Sequence, residues 1–545
     1  MTLTGCEVDP PFVSGKRIIR GVHPPARPRR QQNHICAGLF YGIVMRKKAF
    51  LFYFVLFLFI LLVSGVVENF DYDLWARLIA GMGVIDGGQV LKSDFLSYTP
   101  VHTWWDHEWG SGVVFYFFLK YFGPYSLIIL QAVMTFGIFF LVSQILRIRE
   151  VKNPYNILFY IVAFMTVAVN INCPVRCHMF SFLLFTLFIY LLELVRYKNK
   201  DFLLYFIPII VIFWNNVHGG VVSGLGLIFM YAVGEFLNRK PWLKYIWVLL
   251  VSSLVLLINP WGFDYIKFLI MANTMHRADI VEWWNIFSHY HLFRYIQFKI
   301  FMILVVTAEL VLLFKQHKFE WYKNCDKVKY IILLVTLYLA ISHVKLMPFF
   351  VITSLCFVYE DLYKLFENFN LPKWFDKVIY SLLIAVILFN FSTRDFSLPV
   401  GINKYPVKEV EFVKINNLKG KILVNFGYGS FVSYKLYPNN LIFMDGRYEE
   451  VYYDYMVPLL KEFFLVRPNW EQIFTYFPPD IMIIEKRYPI FQVLNKSKDW
   501  KLVYEGDVFG VFLPNDMSNK KFLLPNSDLK YYKNTLFDTD INFKK

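Results

Sequence analysis

Residues 45–75 read MRKKAFLFYFVLFLFILLVSGVVENFDYDLW. Three cations open the stretch, an apolar run follows, and Glu68, Asp71 and Asp73 come directly after it. Crossing a bilayer core takes roughly 20 apolar residues. The run is therefore predicted to span a membrane, with Arg46, Lys47 and Lys48 on the cytoplasmic side. No small-residue cleavage site follows, so it reads as a retained signal anchor. Upstream, residues 1–44 are polar and rich in Arg and Pro, which reads as a disordered basic N-terminus with Met45 as a candidate true start.

Working outward, further apolar runs lie near 124–146, 154–170, 178–195, 201–217, 219–237, 242–258, 296–314, 328–342, 346–360 and 376–392. With the first they make about eleven transmembrane helices. Lys and Arg collect in alternate loops: Arg147, Arg149 and Lys152, then Arg196 and Lys198, then Arg239 and Lys240. That is the positive-inside bias, and it places the N-terminus in the cytoplasm and everything after the last span outside. Composition agrees, at 57% hydrophobic and only 18% charged residues against about 25% for an ordinary soluble domain. The net charge of +15 is accounted for by loops flanking apolar runs, so no nucleic acid partner is implied; membrane lipids are. Six cysteines show no metal-binding spacing, and Cys173 and Cys177 are expected as free thiols.

Two polar regions remain. Residues 68–123 form a large first outer loop. Residues 395–515 alternate helical and strand patterns, which predicts a small extracytoplasmic α/β domain, with strands at 421–425, 441–444, 481–484, 500–504 and 508–512. Residues 516–545 read as a polar tail. The expected fold is thus an α-helical polytopic membrane protein, with residues 45–394 as its transmembrane domain.

The outer loops hold the candidate chemistry. Asp71 and Asp73, at i and i+2, suit a general base or a divalent cation, Mg or Mn being the expected cofactor. Equally, Asp73 suits the cap of the helix that starts LWARL. In WWDHEW at 104–109, Glu108 is a further catalytic candidate and His107 a substrate ligand; the tryptophans, with Trp75, suit either sugar stacking or anchoring at the bilayer interface. Arg176 and His178, in VRCH, could hold a phosphate or a lipid headgroup. WNNVHGG at 214–220 makes a tight turn whose glycines allow close backbone approach beside His218. Glu282 and Lys345 complete the ring, or pair with one another. Carboxylates beside cations fit phosphoryl and glycosyl transfer alike.

This arrangement resembles the GT-C superfamily of integral-membrane glycosyltransferases, on the strength of the first span, the acidic first loop with FDYDLW, the many further spans and the C-terminal domain. It is similar in particular to a group of bacterial multi-pass proteins carrying Asp71, Asp73 and Trp75; Ser97, Thr99, Trp104, His107 and Trp109; Asn216, His218, Gly219 and Gly220; and Asp445, Gly446 and Arg447. The resemblance implies an inner-membrane enzyme that moves a sugar from a polyprenyl-phosphate donor to an extracytoplasmic acceptor, with Asp71 or Asp73 as base or metal ligand. Two other classes share parts of the pattern. One is a non-catalytic multi-pass protein of envelope polysaccharide assembly, and the other is a lipid-linked sugar transporter, which would want polar residues through the membrane depth.

Overall fold

The computed structural model describes residues 29–66, 70–171, 175–275, 277–278, 280–317, 325–367, 374–393, 398, 401–517 and 520–543. About 65% of the chain is helical, and a small mixed sheet lies near its C-terminal end. Of the described residues, 29–51 fall in one compact unit and 52–543 in another. Within the second, the α/β region is not a body apart but part of one unit with the helices.

Helix α1 (Arg29–Val66) begins well before Met45, where the sequence suggests disorder. The segment ICAGLFYGIV at 35–44 is apolar enough to continue a helix into the span that follows. Then come α2 (Leu74–Ile85), α3 (Trp109–Phe122), α4 (Tyr125–Ile148), α5 (Ile157–Ile171), α6 (His178–Lys198), α7 (Phe206–Val217) and α8 (Val221–Leu237). Among the described residues, five helices are long and apolar enough to cross a membrane: Lys47–Gly65, Tyr125–Ile148, His178–Lys198, Ile296–Phe314 and Phe375–Thr393. Other expected spans appear as shorter apolar helices, among them Ile157–Ala168 and Val221–Leu237.

Their burial ranks these helices. α6 is the central one, with 67% of its apolar window inside the protein, whereas Phe375–Thr393 has 6% and turns Leu388 and Phe389 outward. At about 1.5 Å per residue, α6 is roughly 30 Å long, and its two ends differ. Near its C-terminus, Glu193 bonds Arg149 (2.8 Å), Arg196 (2.9 Å) and the Tyr231 hydroxyl (3.0 Å), and Arg196 reaches Glu235 and Asp326. These cations come from the loops expected inside, and the carboxylates match them so closely that burial is tolerated. Its N-terminus, at His178, opens on the site described below.

Five strands make the sheet: β1 (Gly420–Val424), β2 (Asn440–Ile442), β3 (Ile481–Glu485), β4 (Trp500–Glu505) and β5 (Phe509–Pro514), in the order β2-β1-β3-β5-β4. β1 runs parallel to β2 and β3; β5 runs antiparallel to β3 and β4, with Ile483 opposite Val511. All five residues of β3 are buried, as befits a central strand covered on both faces. The first loop is laid along the edge of this sheet. Tyr98 and Leu96 exchange backbone bonds with Ile442, and Trp105 N donates to Glu450 O. Ser97 Oγ meets the Tyr452 hydroxyl at 2.6 Å, and Thr99 Oγ1 donates to Phe443 O.

The expected tail after residue 515 also folds back. Tyr434 donates to Phe537 O, Lys435 to Thr535 O, and the Phe537 ring lies 5.2 Å from that of Trp75. Trp75 is fully buried against Tyr405, Phe431 and Tyr434. Trp104 is equally buried, under the Arg447 guanidinium at 4.5 Å. Both therefore belong to the core and not to a bilayer interface.

Candidate active site

An isolated bridge between Phe70 and Val175 runs the two segments parallel and so sets Asp71 beside Arg176. Asp71 pairs with the Arg176 Nε, while Arg176 Nη1 donates to both Glu282 oxygens at 2.8 and 2.9 Å. Glu282 is thus the partner of Arg176, and the expected pairing with Lys345 does not form. The other Asp71 oxygen accepts the Asp73 N–H at 3.0 Å. With both oxygens committed, Asp71 is a positioning group.

Asp73 differs from its neighbour. It stands at the N-cap of α2, yet its side chain makes no capping bond, and its carboxylate has no hydrogen-bond partner among the described residues. Gly446 comes so close that a Cβ there would lie 2.2 Å from Asp73 Oδ1 and would displace that carboxylate. Burial, and after it the Glu108 charge, raise the Asp73 pKa to about 7.

One helical turn on, the buried Arg77 gathers three acids. It pairs with Asp106, donates to Glu450 at 2.7 Å and lies 3.5 Å from Glu108. His107 bridges Glu450 (2.8 Å) and Glu108 (3.5 Å). Burial disfavours its charge, but those carboxylates outweigh it and raise the pKa to about 9, so the ring is an imidazolium at neutral pH. In the 214–220 turn, Gly220 N–H can only donate, and it donates to His218 Nδ1 at 2.9 Å. The proton of a neutral His218 therefore sits on Nε2, aimed at Glu108 3.3 Å away. Burial lowers the His218 pKa, in keeping with a neutral ring. Although burial opposes ionisation of Glu108, His107 and Arg77 hold its pKa well below the usual range.

These groups surround one cavity of about 580 Å³. Eight of the ten residues expected from sequence line it: Asp71, Asp73, His107, Glu108, Arg176, His178, Glu282 and Lys345. His218 stands behind Glu108, and Trp75 is excluded by its place in the core. Within the cavity, the Lys345 ammonium lies 5.2 Å above the Trp283 ring and has no hydrogen-bond partner among the described residues. Both ring nitrogens of His178 are buried without a partner. Cys177, alongside, is a free buried thiol; Cys173 lies outside the described residues.

The sequence reading missed Arg77, Glu449 and Glu450. Arg77 carried a signal, as the one cation in the apolar helix LWARLIAGMG; the two glutamates directly follow the Asp445–Arg447 turn. That turn is a brace: Arg447 is buried between Asp445 (2.9 Å) and Asp94.

Of the two aspartates expected to hold a metal, Asp71 is paired with Arg176. Among the described residues, the group within reach of one ion is His107, Glu108 and Glu450. Metal ligands must be deprotonated, whereas His107 holds its proton, and Arg77 and His107 together sit against the two carboxylates. An ion bound there would have to displace the His107 proton. A comparison with protein-family models gave no match to this chain, and neither did one with curated proteins.

Proposed function

We propose that this chain is a GT-C-type glycosyltransferase with about eleven spans in a bacterial inner membrane. On this reading the N-terminus is cytoplasmic, and the cavity and α/β region face outward. The donor is a polyprenyl-phosphate-linked sugar. One observation carries the reading: an unpaired carboxylate, Asp73, raised to about 7, shares a cavity with an unpaired ammonium and an unpartnered imidazole. A base works best with its pKa near the working pH, and a leaving phosphate needs cations that are not already spent.

In the reaction, Asp73 takes the proton of the acceptor hydroxyl as that oxygen attacks the sugar's anomeric carbon. The bond from that carbon to the phosphate oxygen breaks, and its electron pair leaves with the polyprenyl phosphate. Lys345 and the unpartnered His178 receive the phosphate, while Asp71 and Glu282 hold Arg176 in the cavity wall. A single displacement of this kind inverts the anomeric centre. His107, Arg77 and His218 fix Glu108 in its charged form, and burial together with this charge keeps the Asp73 pKa high.

The test is transfer from radiolabelled polyprenyl-phosphate sugars by the full chain in proteoliposomes. Asp73→Asn should lower transfer about 10²- to 10⁴-fold with thermal unfolding unchanged. Wild-type transfer by that variant would remove the enzyme reading and favour an assembly role.

A further inference from the structure

A second cleft, of about 420 Å³, lies between the helices Met456–Leu465 and Gln472–Tyr476. Tyr455, Leu459 and Glu462 line it at the i, i+4, i+7 spacing of one helix face, opposite Gln472, Tyr476 and Phe477. Tyr455 and Tyr476 keep 50% and 65% of their surface exposed. The Glu462 carboxylate and the Gln472 amide have no hydrogen-bond partner among the described residues. Open aromatic rings beside unused donors and acceptors match a sugar ring, whose C–H face stacks on an aromatic while its hydroxyls bond at the rim.

The cleft is not isolated. Tyr455 stacks near-parallel on Tyr453, with centroids 6.0 Å apart. Tyr453 meets His102 (5.7 Å) and His102 meets Trp105 (4.7 Å); beyond Trp105 the row enters the core at Phe268, which is buried. Tyr453 is 44% exposed, and His102 and Trp105 are partly so. An aromatic belt in a bilayer interface would be expected beside cations that take lipid phosphates. This cleft has an acid at its rim and no Lys or Arg among its lining residues.

We infer that the open rings, Tyr476, Tyr455 and Tyr453 with His102 and Trp105 beyond them, are a binding track for a neutral glycan chain. That the chain is the acceptor rests on the transferase reading; its binding does not.

Hydroxyl-radical footprinting of the full chain in lipid nanodiscs tests this, with maltotetraose, cellotetraose, mannotetraose and chitotetraose as probes. At least one should protect Tyr453, Tyr455 and Tyr476 from oxidation, leaving Phe293, 84% exposed, unchanged. Tyr455→Ala should weaken that sugar's binding about two- to tenfold, the range of one aromatic contact. If none of the four sugars protects the rings, the track is overturned. Rings shielded by lipid alone, and reactive in detergent without sugar, would equally overturn it in favour of a membrane girdle. Asp73→Asn leaves the cleft intact and should keep the protection. Protection without transfer therefore counts against the enzyme reading alone, and transfer without protection counts against the track alone.

Discussion

His107 stands between two carboxylates, and replacing it with Asn tests whether that charge holds the loop on the sheet. Its pKa rises from an ordinary 6.5 to about 9 on folding. A raised folded-state pKa means that the charge stabilises the fold fully below about pH 6.5 and ceases to do so as pH climbs through about 9. The change corresponds to roughly 3 kcal/mol. The side chain is only 17% exposed, so solvent screening removes little of it. Thermal unfolding of the purified protein, followed by tryptophan fluorescence from about pH 6 to about pH 10, measures the difference. At the acid end the wild type should exceed His107→Asn by an amount of that order, and the gap should close toward the alkaline end. Parallel curves across the range would refute the reasoning, and so would equal stability at about pH 6.

The remaining expectations concern the cavity and its brace. Transfer should rise as pH passes through about 7, where Asp73 loses its proton, and a pH–rate profile with no inflection there would remove Asp73 as the base. Lys345→Met should raise the donor KM about 10- to 100-fold through loss of a charged phosphate contact, seen by varying donor in the vesicle assay. Gly446→Ala should depress kcat with little change in global unfolding, because the new methyl would occupy the place of Asp73 Oδ1. Arg447→Met should destabilise the protein by about 3–5 kcal/mol, since it strands the buried Asp94 and Asp445; denaturant titration reads this.

The strands were legible because alternating or continuous apolar runs bounded by Gly, Asn and Asp leave few other structures, and each lies within two residues of its expected place. The cavity was legible for a different reason. Charged residues at the ends of apolar helices are costly, so Arg176, Lys345 and Glu282 announced a shared polar space before any contact was known. What could not be read was the identity of partners. Arg176 pairs with Asp71 and Glu282, and the Phe70–Val175 bridge that sets it beside Asp71 is a contact between segments far apart in sequence. The tryptophans misled because their amphipathic rings suit a bilayer interface as well as a core. Only the arrival of Phe537 beside Trp75, and of Arg447 over Trp104, decides between the two.

The contact between Phe537 and Trp75 also sets an order in time. The acids at 71 and 73 are among the first polar residues to leave the ribosome after the opening span, but the ring that backs their helix is made hundreds of residues later. Until then α2 carries a bare tryptophan face, and Arg77 lacks Glu450. The nascent chain therefore holds an unfinished site until the segment around Phe537 is made, and that segment acts as the latch that completes it.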